Sequence, residues 1–590
     1  MQQGVPRRTF HAAWLVTLLS LVLLAGLVSP AAARSKKPPK PKPNKVDFTL
    51  TVLHNNDGES DLLASDDDDD PGAGTISRFG YLLQDLRRDA LRSGKHKRGK
   101  GGKGGKAGVV TVSSGDNFLA SPEWQASLDK GVPYYDAIAL DHLDYDAFTI
   151  GNHEFDFGPD VLANFINSFR GNDDTFISAN LDFSAEPALQ ELVEEGRIRA
   201  SVVVRERGER IGIIGVTTPE LRAVSSPGDV VIDDDLTEVV QSEVDRLTRR
   251  GIDKILVSSH LQDIDNELAL VPTLSRVDAV IAGGGGEDIG EEYPITATDA
   301  DGVTVPVVTV PGDYFDVGRL ELQFNRKGEV IDFGGALEPV TSDTRQDRFL
   351  LRRVEQPVTE YVAGLAEQVV ATSEVGINGL RGDVRTRETN AGNLLADAML
   401  ATGQELAGEF GVPEPQVALQ NGGGIRNDSI IGPGEITVLD TFDIAPFTNF
   451  VAVVPDVARE DLLAAVEHGL SGLPGEAGSF GQWGGLTVEY NPAAAAGSRV
   501  VNLTLADGTV IVDGGTLVGG DGVTLATIDF LAAGQDGYTM LEPYDFTVVG
   551  VSYQQSLANY LASLGTVTAA DYADPDPLEG IAPTRIIPVP

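Results

Sequence analysis

The stretch Gly151-Asn152-His153-Glu154-Phe155-Asp156 gives the first indication of both fold and chemistry in this chain. It follows the apolar run Ala147-Phe148-Thr149-Ile150, which predicts a short strand ending in a polar turn. Asparagine, histidine and acidic side chains at such a turn supply donor atoms for a metal ion and a phosphate group. The turn is therefore a candidate catalytic site at the end of a strand.

Three further segments repeat this arrangement of a β-rich run followed by a polar turn. Residues 50–59 and 109–117 end in acidic turns, and residues 254–260 end in a histidine. Because parallel strands present their carboxyl ends at one edge of a sheet, we expect their polar side chains to converge there. These side chains are Asp57, Asp116, Asn152 and His260.

The order of these segments resembles the calcineurin-like metallophosphatases, and specifically the 5′-nucleotidase family. The resemblance implies two divalent metal ions as cofactors. It implies that Asp57 binds one ion, that Asp116 bridges both, and that Asn152 and His260 bind the other.

The same resemblance assigns a catalytic pair to the polar turn. His153 stabilises the transition state and Asp156 orients it. In this chemistry two cations roughly 3.5–4 Å apart neutralise phosphoryl oxygens and lower the pKa of a bound water. Nearby carboxylates would keep His153 protonated, so that it donates a charge-assisted hydrogen bond to the phosphoryl group or the leaving oxygen.

Two positions depart from the family pattern. The first motif of the family reads Asp-x-His, whereas this chain has Asp57-Gly58-Glu59. The last motif reads Gly-Gly-His-x-His, whereas this chain has Gly285 at the first histidine position and Glu287 at the second. Both second-position histidines would serve the same metal, and both are glutamate here.

These departures predict a metal centre of changed preference. Oxygen donors from Glu59 and Glu287 favour Mn²⁺, Mg²⁺ or Ca²⁺ over Zn²⁺. Gly285 removes an imidazole from the second site, which water, Asp288 or Asp263 would complete. The alternative is a degenerate, metal-poor site in a protein that binds nucleotides without hydrolysing them.

The N-terminus predicts export. Arg7 and Arg8 precede a charge-free apolar run and an Ala-x-Ala site, so residues 1–33 are interpreted as a signal peptide of the Sec or twin-arginine type. The apolar run is slightly long, which leaves an uncleaved anchor as the alternative. Residues 34–45 are rich in lysine and proline and predict an extended tether. The predicted location is periplasmic, cell-surface or extracellular.

The composition excludes some partners. A formal net charge of −43, from 45 basic and 88 acidic residues, excludes a general nucleic-acid-binding surface. The chain has no cysteine, so no disulfide contributes to its stability. With the signal cleaved, no stable membrane association is expected. The sequence does not indicate an oligomeric state.

The predicted fold class is α/β, with several regions along the chain. A calcineurin-like metallophosphatase β-sandwich flanked by helices spans residues 46–342, and an amphipathic linker helix spans residues 343–374. An α/β 5′-nucleotidase C-terminal domain that binds substrate spans residues 375–570, followed by a tail at 571–590.

The C-terminal motifs carry the resemblance further and imply a nucleotide pocket. Arg385-Thr386-Arg387-Glu388-Thr389-Asn390 and Asn421-Gly422-Gly423-Gly424-Ile425-Arg426 resemble the substrate-binding domain of the nucleotidase branch. Two phenylalanines would sandwich the base, and stacking contributes roughly 1–3 kcal/mol per base while reading no base edge. The implied substrate-binding residues are Arg385, Asn421, Arg426, Phe447, Asn449, Phe530 and Asp536.

The sequence thus predicts an exported metal-dependent phosphohydrolase that removes the 5′-phosphate from nucleotides by attack of a metal-activated water. Two other activities stay open: a broader phosphatase or nucleotide-sugar hydrolase, and a 2′,3′-cyclic phosphodiesterase. The non-catalytic nucleotide-binding protein is the alternative from another class.

Overall fold

The computed structural model describes residues 45–63, 70, 72–96, 106–171, 175–285, 289–447, 449–575 and 580–590. The predicted signal peptide and all but the last residue of the tether lie outside these residues, as does Glu287. Within the described ranges, no helix is both long and apolar enough to span a membrane.

The N-terminal half is built on two sheets packed face to face. The first sheet contains, in spatial order, Val330–Pro339, Asp316–Phe324, Phe48–Asn55, Lys106–Ser113, Ala147–Thr149, Phe176–Ile177 and Ile198–Arg199. The second contains Ile295–Thr298, Thr304–Val308, Ala279–Ile281, Ile255–His260, Glu209–Thr217 and Ser201–Glu206. Apolar side chains of both sheets, including Leu50, Val110, Ile213 and Leu256, form one buried cluster between them.

The central strands of both sheets are parallel, which sets where the polar turns lie. Phe48–Asn55 pairs in parallel with Lys106–Ser113, which in turn pairs in parallel with Ala147–Thr149. Ile255–His260 lies between two parallel neighbours in the second sheet. The carboxyl ends of these strands therefore meet at one edge of the sandwich.

Helices cover the outer faces of the two sheets, as expected for a sandwich whose parallel strands are joined by crossovers. Their buried faces form two further apolar clusters, one on each sheet. The α-helices of this half are Ile76–His96, Pro122–Lys130, Tyr135–Leu143, Gly158–Asn167, Pro187–Glu195, Leu221–Val224, Leu236–Arg249 and Ile264–Leu270.

The linker helix is shorter than the predicted 343–374. It runs from Arg348 to Ala366 with a π-helical turn at Leu351–Glu355, and its N-cap is Asp347. Residues Val369–Ser373 form a strand instead, which pairs with Gly434–Thr437 and Thr566–Val567. The Val369-Val370 pair begins a run in which β-branched residues favour strand over helix.

The C-terminal half combines sheets and helices. A five-stranded sheet has the order Gly481–Gly484, Val417–Asn421, Val523–Ile528, Phe450–Val457 and Thr547–Ser552, and a second has Thr516–Leu517, Val510–Asp513, Val500–Leu505, Leu486–Tyr490 and Ile586–Pro588. The α-helices are Arg381–Val384, Asn390–Phe410, Val438–Ile444, Arg459–Gly469, Asp529–Ala532, Tyr553–Leu564 and Ala569–Tyr572. The predicted α/β class with two joined halves is confirmed.

The segment expected as a tail is integrated into this half. Ile586–Pro588 pairs in parallel with Leu486–Tyr490, and Arg585 forms an ion pair with Asp397 at 2.7 Å. The buried carboxylate of Glu388 accepts hydrogen bonds from the backbone N–H groups of Thr584, Arg585 and Ile586. The end of the chain therefore packs against the Arg385–Asn390 motif.

Candidate active site

The predicted edge residues come together where the parallel strands end. The imidazole of His260 has its Nε2 2.8 Å from Asp116 Oδ2, 3.0 Å from Asn152 Oδ1 and 4.0 Å from Asp57 Oδ1. All four side chains are buried. Glu59 also belongs here, because one of its carboxylate oxygens lies within 4.8 Å of donor atoms of Asp116 and His153. We call Asp57, Glu59, Asp116, Asn152 and His260 the carboxylate edge.

The backbone at this edge adopts unusual conformations. Asp57, Glu59 and Asp116 have φ values of 49°, 45° and 51°, in the left-handed region that residues with a Cβ rarely occupy. Such strain costs about 1–3 kcal/mol per residue and clusters at functional sites. A side chain at Gly151 would collide with Asp116 Oδ1, so the close approach of the two turns requires a glycine there.

Glu154 ties two of these turns together, a role that the sequence did not reveal. Its fully buried carboxylate accepts hydrogen bonds from the backbone N–H groups of Asp116, Asn117 and Gly151, at 3.0, 2.8 and 2.7 Å. The donors come from turns more than thirty residues apart, so only tertiary structure brings them to one carboxylate. Glu154 therefore fixes the position of Asp116 relative to Asn152.

His153 and Asp156 form the predicted pair, and a third residue extends it. His153 Nδ1 lies 2.6 Å from Asp156 Oδ2, and the hydroxyl of Ser225 donates to Asp156 Oδ1 at 2.8 Å. Burial alone would lower the pKa of His153, but the Asp156 and Asp116 carboxylates raise it to about 10. His153 is thus a cation, with Nδ1 engaged and Nε2 4.0 Å from Asp116 Oδ2.

The edge fits a divalent cation. Two sets of three donor atoms lie within 4.8 Å of one another: Asp57, Asp116 and His260, and Glu59, Asp116 and His153. Burial lowers the pKa of His260, but Asp116 and Asp57 raise it to about 10, because the two carboxylates favour positive charge between them. Buried carboxylates in such numbers require cations to balance them, and oxygen and imidazole donors suit divalent metals.

Of the two acids predicted to complete the second metal site, Asp263 is described and Asp288 is not. Asp263 caps the helix Ile264–Leu270 by accepting from the Asp265 N–H at 2.8 Å, and its side chain is exposed. Gly284 donates its backbone N–H to Asp57 Oδ2 at 3.0 Å, so the glycine run does reach the edge. Glu287 and Asp288, immediately beyond, are not among the described residues.

The C-terminal half supplies the other side of the site. A cleft of about 280 Å³ is lined by Asn152, His153 and Asp156 from the edge side and by all seven predicted substrate-binding residues from the other. We call those seven the aromatic wall: Arg385, Asn421, Arg426, Phe447, Asn449, Phe530 and Asp536.

The aromatic wall has few internal contacts. Asn421 donates to Asp536 Oδ2 at 2.7 Å, and the Arg426 guanidinium carbon lies 5.8 Å from the Phe447 ring centre. Burial, with repulsion from Arg381 and Arg426, lowers the pKa of Arg385 to about 10. Its buried Nε has no hydrogen-bond partner among the described residues. A cationic, under-satisfied arginine of this kind is suited to an anionic ligand.

Acid, amide and imidazole groups lie at the strand ends of a two-sheet sandwich and face a second half that bears arginines. This arrangement defines the calcineurin-like class of metal-dependent phosphohydrolases. Comparison with known proteins narrows the class. Residues 369–543 match the family described as 5′-nucleotidase, C-terminal domain. A 5′-nucleotidase precursor structure from Thermus thermophilus is 30% identical with a TM-score of 0.69, covering 92% of this chain and 99% of that one. The chain belongs to the 5′-nucleotidase family and is a phosphoric ester hydrolase.

Two sequence relatives agree with this assignment. The 5′-nucleotidase of Diplobatis ommata is 29% identical over 512 residues, which cover 84% of each chain. The trifunctional nucleotide phosphoesterase YfkN of Bacillus subtilis is 27% identical over 521 residues. That match covers 84% of this chain but only 32% of YfkN.

Proposed function

We propose that this chain is an exported 5′-nucleotidase that uses two divalent cations to remove the 5′-phosphate of nucleotides. The observation that carries the proposal is the shared cleft. The catalytic pair lines it from one side, and arginines and phenyl rings line it from the other. A phosphate at the edge and a base against the wall would together fill such a cleft.

In this proposal the carboxylate edge is the metal centre. One cation would be held by Asp57, Glu59, Asp116 and Glu287, and the other by Asp116, Asn152 and His260. The bound cations would neutralise the phosphoryl oxygens and activate a water molecule. Asp116 is the shared carboxylate, and its Oδ1 is already held by the His153 backbone N–H at 2.8 Å. The predominance of oxygen donors favours Mn²⁺, Mg²⁺ or Ca²⁺ over Zn²⁺.

The catalytic pair acts on the phosphoryl group. Asp156 holds Nδ1 of His153, so Nε2 is the ring nitrogen left for a ligand. Against the effect of burial, the Asp156 carboxylate raises the pKa of His153 and so favours a proton on that nitrogen. His153 then donates to a phosphoryl oxygen or the leaving ester oxygen as negative charge develops there.

The aromatic wall orients the nucleoside. Phe447 and Phe530 are half-buried and stack on the two faces of the base. Stacking reads no base edge, so the site accepts several nucleobases. Arg385 and Arg426 bind the anionic part of the substrate. Asp536, whose carboxylate also accepts from Asn421, accepts from the ribose hydroxyls.

The decisive experiment is AMP hydrolysis after complete chelation, with Mn²⁺, Mg²⁺, Ca²⁺ or Zn²⁺ added singly. We expect recovery with a hard cation, and a higher kcat/KM for AMP than for p-nitrophenyl phosphate or 2′,3′-cyclic AMP. Equal rates on AMP and p-nitrophenyl phosphate would favour a broad phosphatase, and preference for the cyclic ester would favour a phosphodiesterase. AMP binding without turnover in any metal would identify a non-catalytic protein.

Export is the part of the proposal that rests on the N-terminal sequence alone. The twin-arginine-like Arg7-Arg8 and the apolar run before Ala31-Ala32-Ala33 support it. N-terminal sequencing of the protein secreted by its own host should begin near residue 34. A mature protein that retains Met1 in the cytoplasm would contradict export.

A further inference from the structure

Gln262 stands at the junction between the edge and the cleft. It lies two residues beyond His260 and lines the cleft together with Asn152 and His153. Its Nε2 is 2.5 Å from Asn152 Oδ1. No motif in the sequence singled it out, and the family resemblance gives it no role.

The backbone at Gln262 is held in a conformation that favours glycine. Its φ is 73°, although the residue carries a long side chain. Gly284 packs directly beneath it, since a Cβ there would lie 2.9 Å from the Gln262 backbone nitrogen and 2.8 Å from His260 Nε2. A left-handed conformation in a residue with a Cβ at an active site is grounds for seeking a function for its side chain.

A cation bound at Asn152 would change the contact between Gln262 and Asn152. Asn152 Oδ1 now accepts from both His260 Nε2 and Gln262 Nε2. A cation at Asn152 Oδ1 would repel these two donors. A glutamine amide can respond by rotating about its last side-chain bond, which exchanges its NH₂ group for its carbonyl oxygen. The carbonyl oxygen would then face the cation.

The charge of the site favours an amide over another acid here. Asp57, Glu59 and Asp116 already place three carboxylates around the edge. The substrate phosphate is itself a dianion, so a further carboxylate would add to the repulsion. A neutral carbonyl oxygen adds a hard ligand without adding charge, in the manner of amide carbonyls at Ca²⁺ and Mn²⁺ sites.

We propose that Gln262 is a metal ligand, whose Oε1 completes the cation site formed by Asp116, Asn152 and His260. Its carbonyl oxygen would replace the imidazole that is missing at Gly285. This inference rests on the proposed two-cation centre and adds a ligand to it.

The test measures binding of Mn²⁺ alone to chelated full-length protein, by equilibrium dialysis and by the electron paramagnetic resonance signal of paired Mn²⁺ ions. Gln262→Gly removes the ligand and also suits the positive φ, so its fold should be retained. We expect one of two Mn²⁺ equivalents to bind at least about tenfold more weakly, the other to be unchanged, and the paired signal to be lost. Gln555→Ala, at an exposed glutamine of the helix Tyr553–Leu564, is the control for losing an amide.

Gln262→Glu separates a ligand from a hydrogen-bond donor. It keeps the oxygen and loses the NH₂ group, so we expect Mn²⁺ binding at or above the wild-type affinity. The role of Gln262 as a ligand would be overturned if Gln262→Glu bound Mn²⁺ as weakly as Gln262→Gly. It would also be overturned if Gln262→Gly bound Mn²⁺ as tightly as the wild type. If Gln262→Gly equals the wild type, and both proteins bind two Mn²⁺ ions and hydrolyse AMP, the proposed function stands and only the ligand assignment fails. A wild-type protein that binds fewer than two Mn²⁺ ions would overturn both.

Discussion

The carboxylate edge and the aromatic wall face the same cleft but are held in place in different ways. At the edge, Asp116 is tied to the His153 backbone, to His260 and to the turn that Glu154 holds. On the wall, Phe447 and Phe530 are half-buried and Arg385 Nε lacks a partner among the described residues. The edge is therefore held by its own contacts, whereas the wall leaves rings and a guanidinium available to a ligand.

Asp116→Asn should produce the largest loss, because it removes the carboxylate shared by the whole edge. We expect kcat/KM for AMP to fall on the order of a thousandfold or more, together with weaker binding of both Mn²⁺ equivalents. Asp89→Asn, at an exposed helix position, is the matched control. Activity within tenfold of wild type in a folded Asp116→Asn protein would remove the edge from the mechanism.

His153→Asn, next to the edge, separates chemistry from metal binding. We expect kcat to fall roughly a hundredfold while Mn²⁺ affinity is retained, because His153 supplies a proton and positive charge rather than a required ligand. Steady-state kinetics and dialysis on the same preparation give both quantities. The matched control is His142→Asn, which changes a histidine paired with Asp347 outside the cleft. Loss of a Mn²⁺ equivalent would instead identify His153 as a ligand, as its distance to Glu59 and Asp116 allows.

Phe447→Ala and Phe530→Ala test whether the wall is completed by the base. Each should raise KM for AMP roughly tenfold, since stacking contributes roughly 1–3 kcal/mol per base, and leave p-nitrophenyl phosphate nearly unaffected. Phe410→Ala, at a ring that is 39% exposed outside the cleft, is the control. Equal losses on both substrates would show that the rings support the fold instead.

Ser225→Ala tests how far the order of the edge extends beyond the residues that meet substrate. Losing the hydroxyl that fixes Asp156 should lower kcat by up to about tenfold with KM and Mn²⁺ binding unchanged. Ser225→Thr should restore most of the rate because it keeps the hydroxyl. Ser184→Ala, at an exposed serine, is the control. A change confined to KM would contradict a role through Asp156.

The smallest effect concerns the stability cost of buried acids near the edge. Burial raises the pKa of Asp136 to about 6, above its value in the unfolded chain. The protonated carboxyl therefore contributes fully to the free energy of unfolding at low pH, and this contribution is lost as the pH rises through about 6. The asparagine in Asp136→Asn cannot ionise. Its free energy of unfolding should therefore exceed that of the wild type by about 1–3 kcal/mol at pH 8 but not at pH 4. Urea unfolding at both pH values measures this difference. A gain that is equal at both would point to packing rather than charge.

The edge could be predicted from the sequence because its chemistry requires particular residue types at strand ends. Asp57, Asp116, Asn152 and His260 each follow an apolar run, and parallel pairing brings those ends together. The residues that hold the edge were missed, because Glu154, Ser225 and Gln262 act through contacts with distant parts of the chain. Asp is enriched among non-glycine residues with left-handed backbone, but the sequence does not show which Asp or Glu adopts it.

The linker shows where pattern alone fails. Its apolar spacing continues past the true end of the helix, since Val369 fits both a helical period and a β-branched strand. Pairing with Gly434–Thr437 decides for the strand. Glu287, predicted as a ligand, lies outside the described residues and stays a prediction.

The linker helix also determines where the two halves could be separated as fragments. Leu350, Val354 and Val358 are fully buried in the core of the N-terminal half. The segment Gln356–Ala366 also packs against Val438–Ile444 of the C-terminal half. The first element of the C-terminal half is the strand that begins at Val369. A cut between Glu367 and Gln368 would leave each fragment with its own apolar contacts, and mixing the two fragments would then measure how strongly the halves attract each other and how much a nucleotide adds.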